Sequence, residues 1–600
     1  MKESGQTDKP ASGLNKYLPQ LLIIGMILLV YIQNLWFDFA YLDDNLIVFA
    51  EYEKIDSLSK IPQAFASGYL LDNYYRPMIM ISFIIDTAIA GQSSTMYHLT
   101  NLILHIAVSL MLYTFLLKVS LKKSVSLFLT LFFSLHPINT NAVSWIAGRN
   151  DLLLALFSLF SLLAFIAFRK SGKAVFLLIS LTAYFFAMMS KEVALIIPMI
   201  FFLYDWLLCN EHKKYSIKRI IVIVYYIIPA FIYLYLRIFL SHITTKEEIS
   251  FKSFTQNIYI LFEYFAKIFY FPLIEPIPIK NSFLIILGSV IFLFLLFFLW
   301  KLRENKQQQR LFLFGVLFFL ILVLPAFFIR VKAEDGEFNY IDCRVYLPLI
   351  GFMIALGVML QSLKIKFNRT VGSLIIFSFL LYTVSFTFIK SNLYSNGKIF
   401  WEYETKLHPG RASYWMGYGF YFFDNNEFFE AAKCAETAIM LKPDIAEFYH
   451  KAALAYESAG DFLKANDVLE RSLEIDKDNP VTIVNLIKNY LKLKQTDKAD
   501  IWSEKFLGLN TGDKKKLEDL SSSISYYYTQ ARQYNSAVKF MKQALEIFPD
   551  NPVLNNDLGA LYANTDSLDS AKIYFEKAVD LEPDNISFRK NLNFVLSKLK

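Results

Sequence analysis

Residues 18–45 read LPQLLIIGMILLVYIQNLWFDFAYLDDN. The first part, through Trp36, is uncharged and long enough to cross a bilayer as a helix. The second part places two adjacent carboxylates, Asp43 and Asp44, just beyond that span. Charge at such a position is costly unless a metal, a substrate or a proton to be removed accounts for it; the plainer alternative is a solvated loop. This stretch decides the fold class, because a chain that opens with a retained span must satisfy its backbone internally wherever it re-enters lipid. The polar, basic start up to Lys16 resembles a signal peptide, but no small-residue cleavage site follows near Trp36.

Outward from this stretch, the 600-residue chain divides by composition. Long apolar runs alternate with short charged loops up to about Ile389, and ordinary soluble helical composition follows. The expectation is an all-α protein: a polytopic helical bundle over 1–390, then an aqueous helical domain over 391–600. The runs are too long and too uniformly apolar for barrel strands. Spans are expected near 18–36, 96–117, 124–135, 151–168, 174–189, 193–208, 220–240, 283–300, 311–329, 346–363 and 371–389, about eleven in all.

Basic residues set the orientation. They precede the first span (Lys2, Lys9, Lys16) and follow the second, fourth, sixth, eighth and tenth (Lys118, Lys122, Lys123; Arg169, Lys170, Lys173; Lys213, Lys214, Lys218, Arg219; Lys301, Arg303, Lys306, Arg310; Lys364, Lys366, Arg369). All fall on one side, expected to be cytoplasmic, if the apolar segments 77–90 and 258–271 do not cross and instead lie interfacially or re-enter. Asp43, Asp44 and the C-terminal domain are then extracytoplasmic. That face also receives Arg76, Arg149, Lys191, Glu192, Asp342 and Arg344. The net charge of +7 is modest and signals orientation, not nucleic-acid binding. Cys209, Cys343 and Cys434 have no metal-like spacing; a Cys343–Cys434 disulfide is left open.

In the C-terminal part, the markers at 443, 477, 511, 549 and 583 recur at about the tetratricopeptide period of 34 residues, with one insertion near 514–523 expected to lengthen a loop. Gly559, Tyr562, Ala571, Phe575, Ala578 and Pro583 fill the signature positions of the last repeat. About five repeats should stack into a solenoid whose concave face takes an extended segment of another protein, or which acts only as a spacer.

These features together resemble the transmembrane and tetratricopeptide repeat-containing O-mannosyltransferases and their bacterial relatives, of the C-type glycosyltransferase fold. The residues that carry the resemblance are Tyr41-Leu42-Asp43-Asp44-Asn45, Tyr75-Arg76-Pro77, the 98–105 segment with His98 and His105, Leu135-His136-Pro137 running to Trp145 and Gly148-Arg149-Asn150-Asp151, Ser190-Lys191-Glu192, and Arg344-Val345-Tyr346-Leu347-Pro348. The resemblance implies transfer of a mannose-like sugar from a polyprenyl-phosphate carrier to a protein hydroxyl, with the protein acceptor met through the repeats, at the outer face of the plasma (inner) membrane. Where the family often has Glu-His-Arg or Glu-Arg-Tyr, this chain has Asp342-Cys343-Arg344, so Asp342 departs from the pattern.

Such a reaction needs one carboxylate to take the hydroxyl proton, and cations to stabilise the departing phosphate. By analogy with related enzymes, Asp43 is expected to be the base, with Asp44 orienting it or holding an acceptor group. Arg76, Arg149, Lys191 and Arg344 are the candidate cations, with Glu192 and Asp342 completing the substrate site. Asp86 is expected to be a solvated or capped carboxylate. His98 and His105 share a helix face and are expected to pack or hydrogen-bond within the bundle. No cofactor is expected firmly, and a divalent metal is left open. Two other classes compete: a non-catalytic membrane-anchored repeat scaffold, and a transporter, which would want intramembrane charges and repeated halves.

Overall fold

A computed structural model describes residues 16–68, 74–209, 222–239, 248–333, 336–338, 342–363, 368–509 and 514–599. The basic clusters at 213–219 and 364–366, with Lys2 and Lys9, lie outside the described residues. The chain forms two compact units, Met1–Glu404 and Thr405–Lys600. Residues 391–404 thus group with the apolar part. The reason is local: Asn141 Nδ2 donates to the Tyr394 hydroxyl at 2.9 Å, and Trp401 Nε1 donates to the Tyr41 carbonyl at 3.2 Å.

The first unit is a helical bundle. Among the described residues, seven helices are long and apolar enough to cross a bilayer: Leu18–Trp36, Ser94–Lys118, Ile146–Ser171, Val222–Phe239, Ser282–Glu304, Lys306–Phe328 and Thr370–Asn392. Lys123–Ser134, Ala174–Met188 and Pro348–Ser362 are apolar but shorter, as is Pro77–Ala90. In lipid, apolar surface gains little by facing apolar surface, so close backbone approach and polar contacts must hold such helices together. Gly315 and Gly351 supply the approach. A Cβ at Gly315 would lie 2.6 Å from the Gly351 carbonyl oxygen, and one at Gly351 would lie 2.6 Å from the Gly315 oxygen. Polar contacts do the rest. Asn34, Ser144 and Ser391 form a closed buried triangle that ties the first span and the last to the 140–148 turns.

The segment at 258–271, expected to lie interfacially or re-enter, forms a short helix, Tyr259–Lys267, that is buried against Ser282–Lys301 and so does not lie at a solvated surface. Its Glu263 accepts from the Asn281 amide at 2.6 Å, and its Lys267 is 1% exposed. Both charges are therefore internal, not solvated. Among the described residues, the regular structure of this unit is helical apart from one antiparallel three-strand ribbon, ordered Glu248–Ile249, Ile329–Ala333, Gly336–Phe338. None of the three cysteines is in a disulfide.

The second unit is a run of helix pairs: Ala412–Asp424 with Phe428–Leu441, Ala446–Ser458 with Phe462–Ile475, Pro480–Lys492 with Thr496–Leu507, Lys514–Gln530 with Tyr534–Ile547, and Pro552–Asn564 with Leu568–Leu581, closed by Ile586–Leu599. Small residues at the repeat positions permit the pairing: a Cβ on Gly559 would meet the Phe575 ring at 2.8 Å. The insertion does not lengthen a loop as expected. It extends a helix, since Lys514–Gln530 has 17 residues where the first helix of the other pairs has 13.

Candidate active site

The acid pair sits in a turn that its own backbone and its neighbours hold in place. Tyr41 adopts a left-handed conformation, φ 58°, which non-glycine residues seldom enter unless the surroundings hold them there. The Trp401 indole on its carbonyl is one such restraint. Just before it, the Asp38 amide donates to the Ser395 carbonyl at 2.8 Å. After the acids, the chain makes a wide helical turn over Leu46–Ala50, closed by Glu51 N–H on the Leu46 carbonyl at 3.0 Å.

The two carboxylates face different ways. Asp44 is 1% exposed; its oxygens accept from the Ala40 amide at 3.0 Å and the Ala147 amide at 3.3 Å. It pins the acid turn to the 146–148 turn. Burial pushes its pKa up to about 7, against the pull of those amides and with a further push from Asp43. Asp43 is half-buried, and among the described residues its carboxylate makes no hydrogen bond and no ion pair. Burial lifts it to about 6, and the Arg76 charge pulls it down.

Arg76 precedes the first turn of Pro77–Ala90. It forks onto Glu192, Nε to Oε1 at 3.3 Å and Nη2 to Oε2 at 2.9 Å, and stacks on Tyr74 at 4.1 Å. Glu192 is held below its ordinary range: burial opposes this, but the Arg76 charge and hydrogen bonds outweigh it, helped by Arg237. Next to Glu192, Lys191 reaches Asp151 with Nζ 2.8 and 2.7 Å from the two oxygens. Burial pushes the Cys343 thiol up, and the charge of the same Asp151 raises it further. Arg344, partly exposed, bears on Cys343 as well. The acid pair, Arg76, Glu192 and Lys191 thus form one cluster, with Asp43 in the field of Arg76 and Arg76 ion-paired to Glu192 beside Lys191; Arg344 is related to it through its chain neighbour Cys343, which feels the Asp151 charge. Asp151 joins them; the sequence marks it within Gly148-Arg149-Asn150-Asp151 at the outer face, but it is not among the expected site residues.

Two expected members stand apart from it. Arg149 is fully buried and already spoken for. Its Nη1 lies 2.7 Å from Asp86 Oδ2, and it donates to Asn101 Oδ1, Ser82 Oγ and the Tyr97 carbonyl at 2.8, 3.2 and 2.8 Å, with its guanidinium over Phe83. A guanidinium so saturated ties helices together and leaves little with which to grip a phosphate. Asp86, expected to be solvated or capped, is 2% exposed and completes that pair, also accepting from Thr100 at 2.7 Å. Asp342 is likewise 1% exposed and paired with Lys267, at 3.0 and 3.1 Å. Burial raises it despite the cation. Lys267 was missed as its partner because a lysine inside an apolar segment was read as interfacial.

The histidines pack as expected. His105 bonds the Tyr346 hydroxyl at 2.6 Å and the Ser134 carbonyl at 2.9 Å; His98 lies 3.4 Å from the Asp38 carbonyl. His136 Nε2 donates to the Ile268 carbonyl while Nδ1 accepts from Ile138 N–H. For a divalent metal, the site's donors fit poorly: Asp44 is taken by amides, Glu192 by Arg76 and Asp151 by Lys191. Among the described residues, no group of three or more His, Cys, Asp or Glu side chains is placed to hold one.

Comparison with known proteins adds the following. Tetratricopeptide-repeat models match residues 446–479 and 528–591. Protein O-mannosyl-transferase TMTC1 of Mus musculus is 31% identical over 151 residues, 23% of this chain and 16% of that protein. TMTC2 of Homo sapiens is 42% identical over 86 residues, 14% of this chain and 10% of that one. Protein O-mannosyl-transferase F38B6.6 of Caenorhabditis elegans is 22% identical over 423 residues, 65% of this chain and 58% of that one. The chain thus aligns with at most 58% of the length of these three relatives. Among solved structures, the tetratricopeptide protein YrrB overlaps 32% of this chain and 96% of its own, at 18% identity and a TM-score of 0.23, which adds nothing to the repeat assignment. The chain carries tetratricopeptide repeats and is similar, over parts of its length, to the protein O-mannosyl-transferases of the TMTC family.

Proposed function

We propose that the chain is a membrane glycosyltransferase that moves a mannose-like sugar from a polyprenyl-phosphate carrier to a hydroxyl of a protein acceptor, at the extracytoplasmic face of the plasma membrane, with inversion. The observation that supports this best is the contrast within the acid pair: Asp44 is bound into the fold by two amides, while Asp43 keeps an uncommitted carboxylate.

A base must reach its proton and be ionised at working pH. Asp43 meets both needs, with a pKa near 6 that leaves it charged at neutral pH. In this reading Asp43 removes the acceptor hydroxyl proton as the oxygen attacks the anomeric carbon. The carrier phosphate departs as an anion and needs no protonation. Arg76, Lys191 and Arg344 supply positive charge around it, Arg76 and Lys191 being oriented by Glu192 and Asp151. The phosphate therefore meets pre-aligned ion pairs, not bare cations. The repeats bind the protein acceptor.

The test is transfer by the purified chain from a panel of polyprenyl-phosphate sugars to a hydroxyl-bearing peptide. Sugar transfer that is lost in Asp43→Asn supports the reading. A folded protein that binds no carrier and transfers nothing would make it a membrane-anchored repeat scaffold.

A further inference from the structure

The bundle has a second feature that this chemistry does not use. The helices Ser94–Lys118 and Arg149–Ser171 both start at the level of the acid turn: His98 touches the Asp38 carbonyl, and Asp44 holds the Ala147 amide. At about 1.5 Å per residue, their other ends lie about 30 Å away, roughly the thickness of the hydrocarbon core. There, between these two helices and Ile197–Leu208, Lys306–Val323 and Pro348–Ser362, lies a cavity of about 670 Å³. That is within the size of small-ligand pockets, about 300–1,000 Å³.

Lys118, Arg169, Lys170 and Arg310 line this cavity, and among the described residues no carboxylate does. Arg169 is oriented by Asp205, Nε to Oδ1 at 2.7 Å. Lys118, Lys170 and Arg310 pair with no carboxylate among the described residues. The 18-residue helix Lys306–Val323 opens into the same space. Its Asn305 side chain accepts from the Gln308 amide, so its positive end adds to the field of one sign. Lys118, Lys170 and Arg310 come from three separate helices and, without a carboxylate partner among the described residues, repel one another. A bound anion removes that cost, and one with two charges removes more. The rest of the lining is mixed: Leu121, Leu207, Leu311 and Val358 offer apolar surface beside Gln307, Gln308 and Gln361. Basic pockets between spanning helices are a recognised way to hold phosphorylated lipid headgroups.

We propose that this cavity, remote from Asp43, is a binding site for a phosphate-bearing anion. A lipid headgroup and a free phosphate share the chemistry that the rim recognises; only the lipid would use the apolar surface.

The experiment uses the full chain in neutral detergent, with the thermal unfolding midpoint read against added ligand. One arm titrates inorganic pyrophosphate against sodium chloride of equal ionic strength. The other adds phosphatidic acid against phosphatidylcholine in mixed micelles. Wild type should be stabilised saturably in at least one phosphate arm and in neither control: in the phosphatidic acid arm alone for a lipid site, in both for a site that takes any phosphate. Lys118→Gln with Arg310→Gln should weaken the response at least tenfold, and Lys170→Gln alone should weaken it less. Neither should lower the midpoint without ligand, because each relieves like-charge repulsion. No saturable response of wild type in either arm, or an equal response in the variants, overturns the proposal.

Discussion

The buried Arg149–Asp86 pair distinguishes a strut from a substrate ligand. Arg149→Met removes a guanidinium that is 0% exposed and leaves Asp86, 2% exposed, without its cation. Breaking one half of a buried pair costs about 3–5 kcal/mol, most of it the uncompensated charge left behind. The Asn101, Ser82 and Tyr97 oxygens also lose their donor, so the upper part of that range is expected. Asp86→Asn should cost a similar amount for the converse reason. The double variant should cost much less than the sum, with a coupling of about 3 kcal/mol. The assay is equilibrium unfolding of each purified variant, with carrier affinity measured on the folded fraction. Carrier affinity should stay at the wild-type value. If Arg149→Met is as stable as wild type and binds carrier more weakly, the reasoning fails and Arg149 returns to the site.

Other outcomes follow from particular contacts. Glu404 is fully buried beside Glu275, and burial lifts its pKa from 4.5 to about 8. The native state therefore holds that proton more tightly than the unfolded chain, so stability should fall as pH rises from about 4.5 to 8. Glu404→Gln should flatten that fall and raise the unfolding midpoint more at pH 8.5 than at pH 5; an unchanged profile refutes it. Gly315→Leu should separate Lys306–Val323 from Pro348–Ser362 and destabilise the first unit, visible as earlier unfolding; a neutral result would show that the close approach is dispensable. Deleting Thr405–Lys600 should weaken transfer to a protein acceptor more than transfer to a short peptide, and equal losses would leave the repeats no role in capture.

Helix existence and repeat period were readable because each rests on a pattern along the chain: apolar length for the spans, a 34-residue recurrence for the solenoid. What the sequence hid was pairing across distance. Arg149 and Asp86, or Lys267 and Asp342, are far apart in the chain, and nothing local marks them as partners. A lone charge in an apolar run reads the same whether it snorkels to water or meets a buried counter-ion. The acid pair posed the same problem at short range. Asp43 and Asp44 are equivalent by type and position, and only the Ala40 and Ala147 amides tell them apart. Trp401, which braces Tyr41, lies 360 residues away and gave no signal at all.

Single-turnover sugar transfer by purified Asp43→Asn decides whether Asp43 is the base, with carrier binding and unfolding followed on the same sample. The variant removes the base while disturbing no hydrogen bond among the described residues, so folding and carrier affinity should hold. Transfer should fall by about 10²–10⁴, the usual contribution of a general base. In wild type the rate should rise with pH through about 6, as Asp43 loses its proton, and that rise should vanish in the variant. Transfer by Asp43→Asn at close to the wild-type rate, with the pH rise intact, would contradict the account.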